Sequence, residues 1–433
     1  MPEGGGPATE VTHKRPEQSE ISHRWPHVVG DVLLFGLWTG PGDDEHFVAV
    51  QKIGSAEHHI LVKGGDAPRY AAKLQSLLYT HLGELYAVPW RPSQTELGKA
   101  VPVAAPEHPN DGIGNEGCGN YAMSQDGTLV YIAGGRSRRA TRLVWIDRTG
   151  RVEPAALPER NFENVTVSPD GTRAIVQIRE GMTTLWSYDL GRSMLSPIGS
   201  ADGSSQAPLW TPDGSRVIYR ATRQGFRNIC SRLADGSGSE ERLTSKADVV
   251  QTPTSVSPDG RWLLFNEAGP EQPGGTGIWM IGLDGDRTPR PLFAVPGGET
   301  DGQVSPDGRF VAYQAWVSSR QEVFVSPFPG PGPRRQISTG GGREPLWSHD
   351  GRELFYQSGT RLMAVTVAPG AAFSASAPRV EHEGRYFKEI NGNTSFSITP
   401  DGRRFFRIQQ VEPERAITQL ELVMSWFSEL RRP

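Results

Sequence analysis

Short apolar runs alternate along most of this chain with a polar corner that returns at a regular interval. The corner is a hydroxyl residue, a spacer that is mostly Pro, then Asp-Gly. It occurs at Ser124-Gln125-Asp126-Gly127, Ser168-Pro169-Asp170-Gly171, Thr211-Pro212-Asp213-Gly214, Ser257-Pro258-Asp259-Gly260, Ser305-Pro306-Asp307-Gly308, Ser348-His349-Asp350-Gly351 and Thr399-Pro400-Asp401-Gly402. An apolar residue precedes every corner: Met123, Val167, Trp210, Val256, Val304, Trp347 and Ile398. After each glycine comes a polar residue, then runs such as Val217-Ile218-Tyr219, Leu263-Leu264-Phe265, Val311-Ala312-Tyr313 and Leu354-Phe355-Tyr356. Consecutive apolar positions between turn signals predict strands buried on both faces. A third strand recurs further along, as in Leu143 to Asp147, Leu185 to Asp189 and Ile278 to Ile281, and a fourth, more polar one precedes the next unit, as in Glu241 to Thr244.

The corner has the chemistry of a tight hairpin. Pro presets φ for the first central position of a type I turn. Asp can bond nearby backbone N–H groups, and Gly takes the left-handed conformation that closes the loop. Successive aspartates lie 44, 43, 46, 48, 43 and 51 residues apart. A four-stranded unit with a period in the forties predicts an all-β chain, a β-propeller of four-stranded antiparallel blades. The seven Asp-Gly pairs are read as structural turns rather than calcium ligands, because a calcium site needs several oxygens converging in one loop.

Residues 1–22 read as a disordered N-terminal arm and 23–433 as the propeller. Two degenerate repeats cover 23–105. Trp25 to Val29, Val32 to Phe35, His46 to Gln51 and His59 to Val62 form the first; Arg69 to Ala72, Leu77 to Tyr79 and Glu84 to Trp90 form the second, without Asp-Gly. Clear repeats span 119–410, and a closing strand with a short helical tail spans 417–433. The count of nine units exceeds the roughly four to eight blades of common rings. The expectation is one ring of about eight blades, with six to nine compatible; a six-bladed ring preceded by a partial set of blades stays open. Insertions at Glu107 to Gly119, Ala268 to Gly277, Pro327 to Pro333 and Glu381 to Asn393 are the expected meeting points with a partner.

Gly 51 and Pro 35 of 433 residues fall at turns, which suits an ordered all-β chain. A formal net charge of -4, with acids and bases interspersed, gives no electrostatic case for nucleic acid or a membrane surface. Two cysteines, Cys118 and Cys230, do not make a disulfide framework. No apolar run has the length of a signal peptide core or a bilayer span, so the reading from residues alone is a cytoplasmic, monomeric chain.

The corner, the apolar residue before it and the later Ile-Trp-type strand resemble the TolB-like, WD-repeat-related propeller repeats of bacteria, over nearly the whole chain from residue 23. More narrowly, Ser22-His23-Arg24-Trp25-Pro26, Gly64-Gly65-Asp66-Ala67-Pro68-Arg69-Tyr70, Leu85-Tyr86-Ala87-Val88-Pro89-Trp90 and Trp426-Phe427-Ser428-Glu429-Leu430 resemble the C-terminal sensor-like propeller of bacterial serine/threonine protein kinases. That resemblance implies an extracytoplasmic propeller. The kinase half and the membrane helix of that pattern are missing, which implies a stand-alone or truncated propeller half.

Catalytic motifs are absent. There is no kinase phosphate loop, strand lysine or His-Arg-Asp loop, and no Gly-x-Ser-x-Gly elbow. Gly112 to Gly117 lacks the context of a phosphate cradle. His58-His59 reads as an ordinary pair on a strand whose neighbours face opposite ways, and Asp43-Asp44-Glu45 as a solvated loop tip. Trp90, Trp145, Trp186, Trp210, Trp279 and Trp347 recur at strand positions and read as core packing. No catalytic, metal or cofactor residue is assigned. The favoured reading is a non-catalytic, sensor-like scaffold that presents rim loops or a channel mouth to a protein or peptide. The alternative is a propeller-fold lyase or glycosidase, signalled by His, Arg, Tyr and carboxylates converging at the channel mouth with perturbed pKa values.

Overall fold

A computed structural model describes residues 9–15, 20, 22–39, 46–81, 84–94, 97–104, 121–131, 141–180, 182–198, 203–223, 226–247, 249–269, 276–293, 298–318, 320–330, 332–368, 370, 372–384, 386, 394–411, 421–424 and 426. The chain divides into two compact units, Met1–Arg139 with Glu412–Pro433, and Ala140–Val411.

The apolar runs of the second unit fold into six sheets of four strands. Five follow one another along the chain. Blade 1 is Phe162–Val167, Arg173–Glu180, Met182–Asp189 and Met194–Pro197; blade 2 is Ser205–Trp210, Arg216–Arg223, Phe226–Leu233 and Glu241–Arg242. Blade 3 is Val250–Val256, Trp262–Ala268, Thr276–Gly282 and Arg290–Pro291; blade 4 is Thr300–Val304, Phe310–Val317, Arg320–Pro327 and Arg335–Gln336. Blade 5 is Arg343–Trp347, Glu353–Ser358, Arg361–Thr366 and Arg379–Glu383. Blades 2 and 3 are also joined by one parallel bridge, Arg227 to Val250. Blade 6 draws two strands from each end of the unit, in the order Val152–Pro154, Thr141–Asp147, Arg404–Gln410, Phe396–Ile398.

Each sheet has two covered faces, which is why its strands are apolar at successive positions. Val217 and Tyr219 enter the core shared with Ile175 of blade 1, while Ile218 between them enters the core shared with Phe265 of blade 3. The succession continues through Leu264 with Val311, then Ala312 with Leu354. Phe355 of blade 5 shares a core with Phe405 of blade 6, and Phe406 of blade 6 shares one with Phe162 of blade 1. The six cores therefore close a ring. The first strands of blades 1 to 5 touch in succession, and that of blade 1 also touches Phe396–Ile398, so these strands form the innermost layer.

The first unit has three sheets: Ser22–Val29, Val32–Trp38, His46–Lys52 and His58–Lys63; Asp66–Ala71, Ser76–His81, Glu84–Pro89 and Val101–Ala104; and Tyr121–Met123 with Leu129–Tyr131 and Glu421–Val423. The core of the first two holds Leu34, Val48, Leu77, Val88 and Trp90.

The cores of the second unit close on six blades, within the six to nine that the sequence leaves compatible. Thr141–Asp147, expected as the third strand of the Asp126 repeat, pairs over its whole length with Arg404–Gln410. The edge it would have occupied, on Leu129–Tyr131, is taken by Glu421–Val423. A strand edge has one set of backbone donors and acceptors, so the closing strand decides to which unit each hairpin belongs. Within the stretch 1–22, Glu20 is buried and Gln51 Nε2 donates to the Val11 carbonyl at 2.8 Å. Asp43-Asp44-Glu45, Gly112 to Gly117, Cys118, the Glu107 to Gly119 insertion and the tail beyond Trp426 lie outside the described residues.

Candidate functional site

The six Asp-Gly corners from Asp170 to Asp401 join first to second strands of the blades and so define one rim of the ring, while the Asp126 corner belongs to the first unit. All seven aspartates accept a hydrogen bond from the Ser or Thr hydroxyl two residues earlier. At Asp170 this hydroxyl is Ser168 Oγ at 2.5 Å, and the Thr172 N–H adds a bond at 3.0 Å. These donors hold the carboxyl below its usual range. Every corner glycine has positive φ, from +67° at Gly402 to +98° at Gly127. The carboxylates are thus committed to their own turns.

The opposite rim carries the hairpins between second and third strands, and just beneath it lies a polar girdle. Inside the second strands of blades 1 to 5 one polar residue follows the apolar run, six positions after the corner glycine: Gln177, Arg220, Asn266, Gln314 and Gln357, all buried. Each bonds to the next blade in the same direction. Gln177 Oε1 accepts the Ala207 N–H at 2.8 Å, and Arg220 Nη1 donates to Thr252 Oγ1 at 2.8 Å. Asn266 Oδ1 accepts the Asp301 N–H at 3.0 Å, and Gln314 Oε1 accepts the Glu344 N–H at 2.9 Å. Gln357 Oε1 accepts from Arg407 Nη2 at 2.8 Å. The innermost strands need this partner because they bulge: register shifts fall between Gln206 and Leu209, Thr300 and Gln303, and Arg343 and Leu346. Ala207, Asp301 and Glu344 sit in the bulges at φ 53°, 59° and 54°, backbone that non-glycine residues seldom adopt. Sequence reasoning passed over these girdle residues, although the recurring polar position after the apolar run was visible.

The girdle gathers charge at blades 4 to 6. Burial pushes Asp301 up to about 7, with the nearby Glu344 charge adding to it against the hydrogen bond from Asn266 Nδ2 at 2.9 Å. Burial also raises Glu344, whose Oε2 accepts from Ser395 Oγ at 2.6 Å and the Ser395 N–H at 2.8 Å. Burial takes Arg407 down to about 10; it faces His382 Nε2 at 3.0 Å and lies 4.1 Å from the Tyr386 ring centre. His382 is driven down to about 3 by burial and by the Arg407 charge. Histidine, arginine, tyrosine and carboxylates do converge, but in the wall: none of the five is more than 8% exposed, and each has partners within the protein. Arg343, beside Glu344, is exposed, with no ion pair among the described residues.

Above the girdle the hairpin tips of blades 1, 2 and 4 carry open apolar side chains. Met182, Phe226, Trp316 and Val317 stand 36%, 42%, 57% and 38% exposed at the tips of blades 1, 2 and 4, and the Arg242 guanidinium lies 4.8 Å from the Phe226 ring centre. Of the recurrent tryptophans, Trp90, Trp210 and Trp347 are buried and Trp145, Trp186 and Trp279 half-buried. Trp210 Nε1 donates to the Thr166 carbonyl at 3.2 Å and Trp347 Nε1 to the Gln303 carbonyl at 3.0 Å, each reaching the preceding blade. Cys230 is buried, and its thiol is pushed up to about 12.

In the first unit, Asp66 is buried and pushed up to about 6 by burial, against hydrogen bonds from the Ala67 N–H at 2.8 Å and Trp38 Nε1 at 2.9 Å. The His58-His59 pair splits as strand alternation requires. His59 is exposed, whereas His58 is buried beside Glu20 and His23, which together form the group of potential metal ligands among the described residues.

The family model described as the TolB beta propeller domain matches residues 128–358. An uncharacterized protein of Agrobacterium fabrum is 31% identical over 211 residues, 44% of this chain and 67% of that protein. The Tol-Pal system protein TolB of Anaeromyxobacter dehalogenans is 30% identical over 121 residues, 28% of this chain and 27% of its own length; that of Bordetella pertussis is 29% identical over 168 residues, 36% and 37%. The chain thus spans roughly a quarter to two fifths of these two TolB relatives. Among solved structures, one assigned as TolB from Agrobacterium tumefaciens superposes with TM-score 0.51 at 15% identity, over 63% of this chain and 99% of that one, a likeness of fold.

Proposed function

The chain belongs to the TolB β-propeller family, and on that premise we propose that it is a non-catalytic binding module for a protein or peptide segment. The docking surface is the rim opposite the Asp-Gly corners. The observation that carries this reading is the contrast at that rim: apolar side chains stand open on the hairpin tips, while the shifted acid and base groups beneath are closed off and internally bonded. General acid–base catalysis needs the shifted group within reach of substrate. Asp301, Glu344 and His382 instead stiffen the wall. Phe226 and Trp316 offer flat apolar area at low entropic cost, Met182 and Val317 add apolar surface beside them, and Arg343 offers a cation for a carboxylate. The segment that fits combines large apolar side chains with an acidic residue. Relatives named as Tol-Pal system proteins support a role within a multi-protein system. The resemblance to kinase-attached propellers supports a sensor-like form of the same role.

The test is selection of a displayed random-peptide library on the purified chain, followed by affinity measurement of an enriched peptide. Trp316→Ala and Arg343→Ala are expected to weaken it about tenfold or more, as interface anchors do. Arg261→Ala, on the corner rim, is expected to leave it unchanged. Absence of any enriched consensus, or full binding by Trp316→Ala, overturns the reading.

A further inference from the structure

Glu20 and His23 lie three residues apart at the start of the first strand, Ser22–Val29, and His58 opens the edge strand His58–Lys63. The rings of His23 and His58 meet over Phe35, with centres 4.7 and 5.6 Å from the phenyl ring and 5.4 Å from each other. Between them sits the Glu20 carboxylate: Oε2 is 3.2 Å from His23 Nε2 and Oε1 is 2.8 Å from His58 Nε2. All three side chains are at most 8% exposed, and their ligand atoms lie within 4.8 Å of one another.

From this geometry we propose that Glu20, His23 and His58 bind one divalent transition-metal ion of the zinc type. Two imidazole nitrogens and a carboxylate oxygen are a donor set that such ions favour over magnesium or calcium, which take oxygen ligands. Tetrahedral bonds of about 2.0–2.1 Å set neighbouring donors about 3.3 Å apart. The Glu20 to His23 separation already has that value within about 0.1 Å, and the His58 contact, 2.8 Å to the other carboxylate oxygen, would open by about 0.5 Å around an ion. Three protein ligands leave a fourth position for water. The Arg15 N–H, 2.7 Å from Glu20 Oε2, supplies an outer partner to the carboxylate. A bound ion would pin the N-terminal arm to the first sheet and raise the stability of the unit by mass action.

The full chain, stripped with a chelator, is titrated with ZnCl2 by calorimetry, with Co2+ absorbance reporting coordination geometry. Expected are one equivalent per chain, a Tm that rises with Zn2+, and a tetrahedral-type Co2+ spectrum. His58→Ala and Glu20→Gln should weaken binding about a hundredfold, since loss of outer partners alone costs about tenfold to a hundredfold. His59→Ala, the exposed neighbour, should bind as the parent does. Circular dichroism separates lost ligation from lost fold, and Glu20→Gln, which keeps size and a hydrogen-bonding head, decides if His58→Ala does not fold. Absence of saturable one-to-one binding, or binding that Glu20→Gln leaves intact, overturns the proposal.

Discussion

The backbone N–H of Glu344 donates to Oε1 of Gln314 at 2.9 Å, so a residue in left-handed backbone on one blade is held by an amide buried in the blade before it. Gln314→Leu keeps the apolar fill and removes the acceptor. An orphaned buried N–H costs about 1–3 kcal/mol. The urea midpoint of Gln314→Leu should fall accordingly, while Gln336→Leu, on an exposed outer strand of the same blade, should change it little.

Gly260 has φ +73°, and nothing lies within 4 Å of where its Cβ would be. Any cost of a side chain there is therefore backbone strain, about 1–2 kcal/mol. Gly260→Val should lower Tm clearly more than Arg261→Val, and equal effects in a thermal melt would contradict the turn.

Asp301 titrates at about 7 in the folded chain against 3.8 for the free group. Its folded pKa is raised, so its contribution is present in full below about pH 4 and is lost as pH rises through about 7. Asp301→Asn retains an oxygen for the Asn266 amide and should abolish this decline. Denaturant midpoints of parent and variant from pH 3.5 to 8 check it, with the variant gaining relative to the parent as pH rises.

His382 has the opposite sign. Its pKa falls from 6.5 to about 3 on folding, so it is neutral in both states above about pH 7 and costs stability as pH falls below 6.5. His382→Gln removes that term. The stability of the parent relative to the variant should decrease from pH 7 toward pH 4.

Phe406 stacks on Trp145 at 4.1 Å between ring centres and shares the core that closes blade 6 on blade 1. Phe406→Ala should cost about 3–5 kcal/mol. The exposed Val380→Ala, on an outer strand, should cost less than about 0.5 kcal/mol. Chemical denaturation distinguishes the two.

Strands, corners and the propeller class were legible in the order of residues, because each is specified locally. The six residues from Ser168 to Arg173 contain the donors and acceptors of a corner, and Val217-Ile218-Tyr219 states by itself that both faces are covered. The candidate site was half legible. The polar residue after the apolar run is visible in the chain, but for Gln177, Asn266 and Gln314 the partner is a bulged backbone N–H some 30 to 35 residues on, and no local pattern announces that pairing. Trp316 and Phe226 look like any other strand aromatics until hairpin geometry places them at exposed tips.

Taken alone, the order of residues determined that this chain makes four-stranded β-units joined by hydroxyl-x-Asp-Gly corners. Tertiary structure alone decided which strands share an edge, so that Arg142 meets Gln409, 267 residues away, and chose the six-sheet ring from the six to nine blades the sequence left compatible. It alone brought Glu20 to His58. The reason is physical: turn chemistry and alternation act over a few residues, whereas strand edges are claimed by competition among segments anywhere in the chain, and the winner is fixed only when every core is filled.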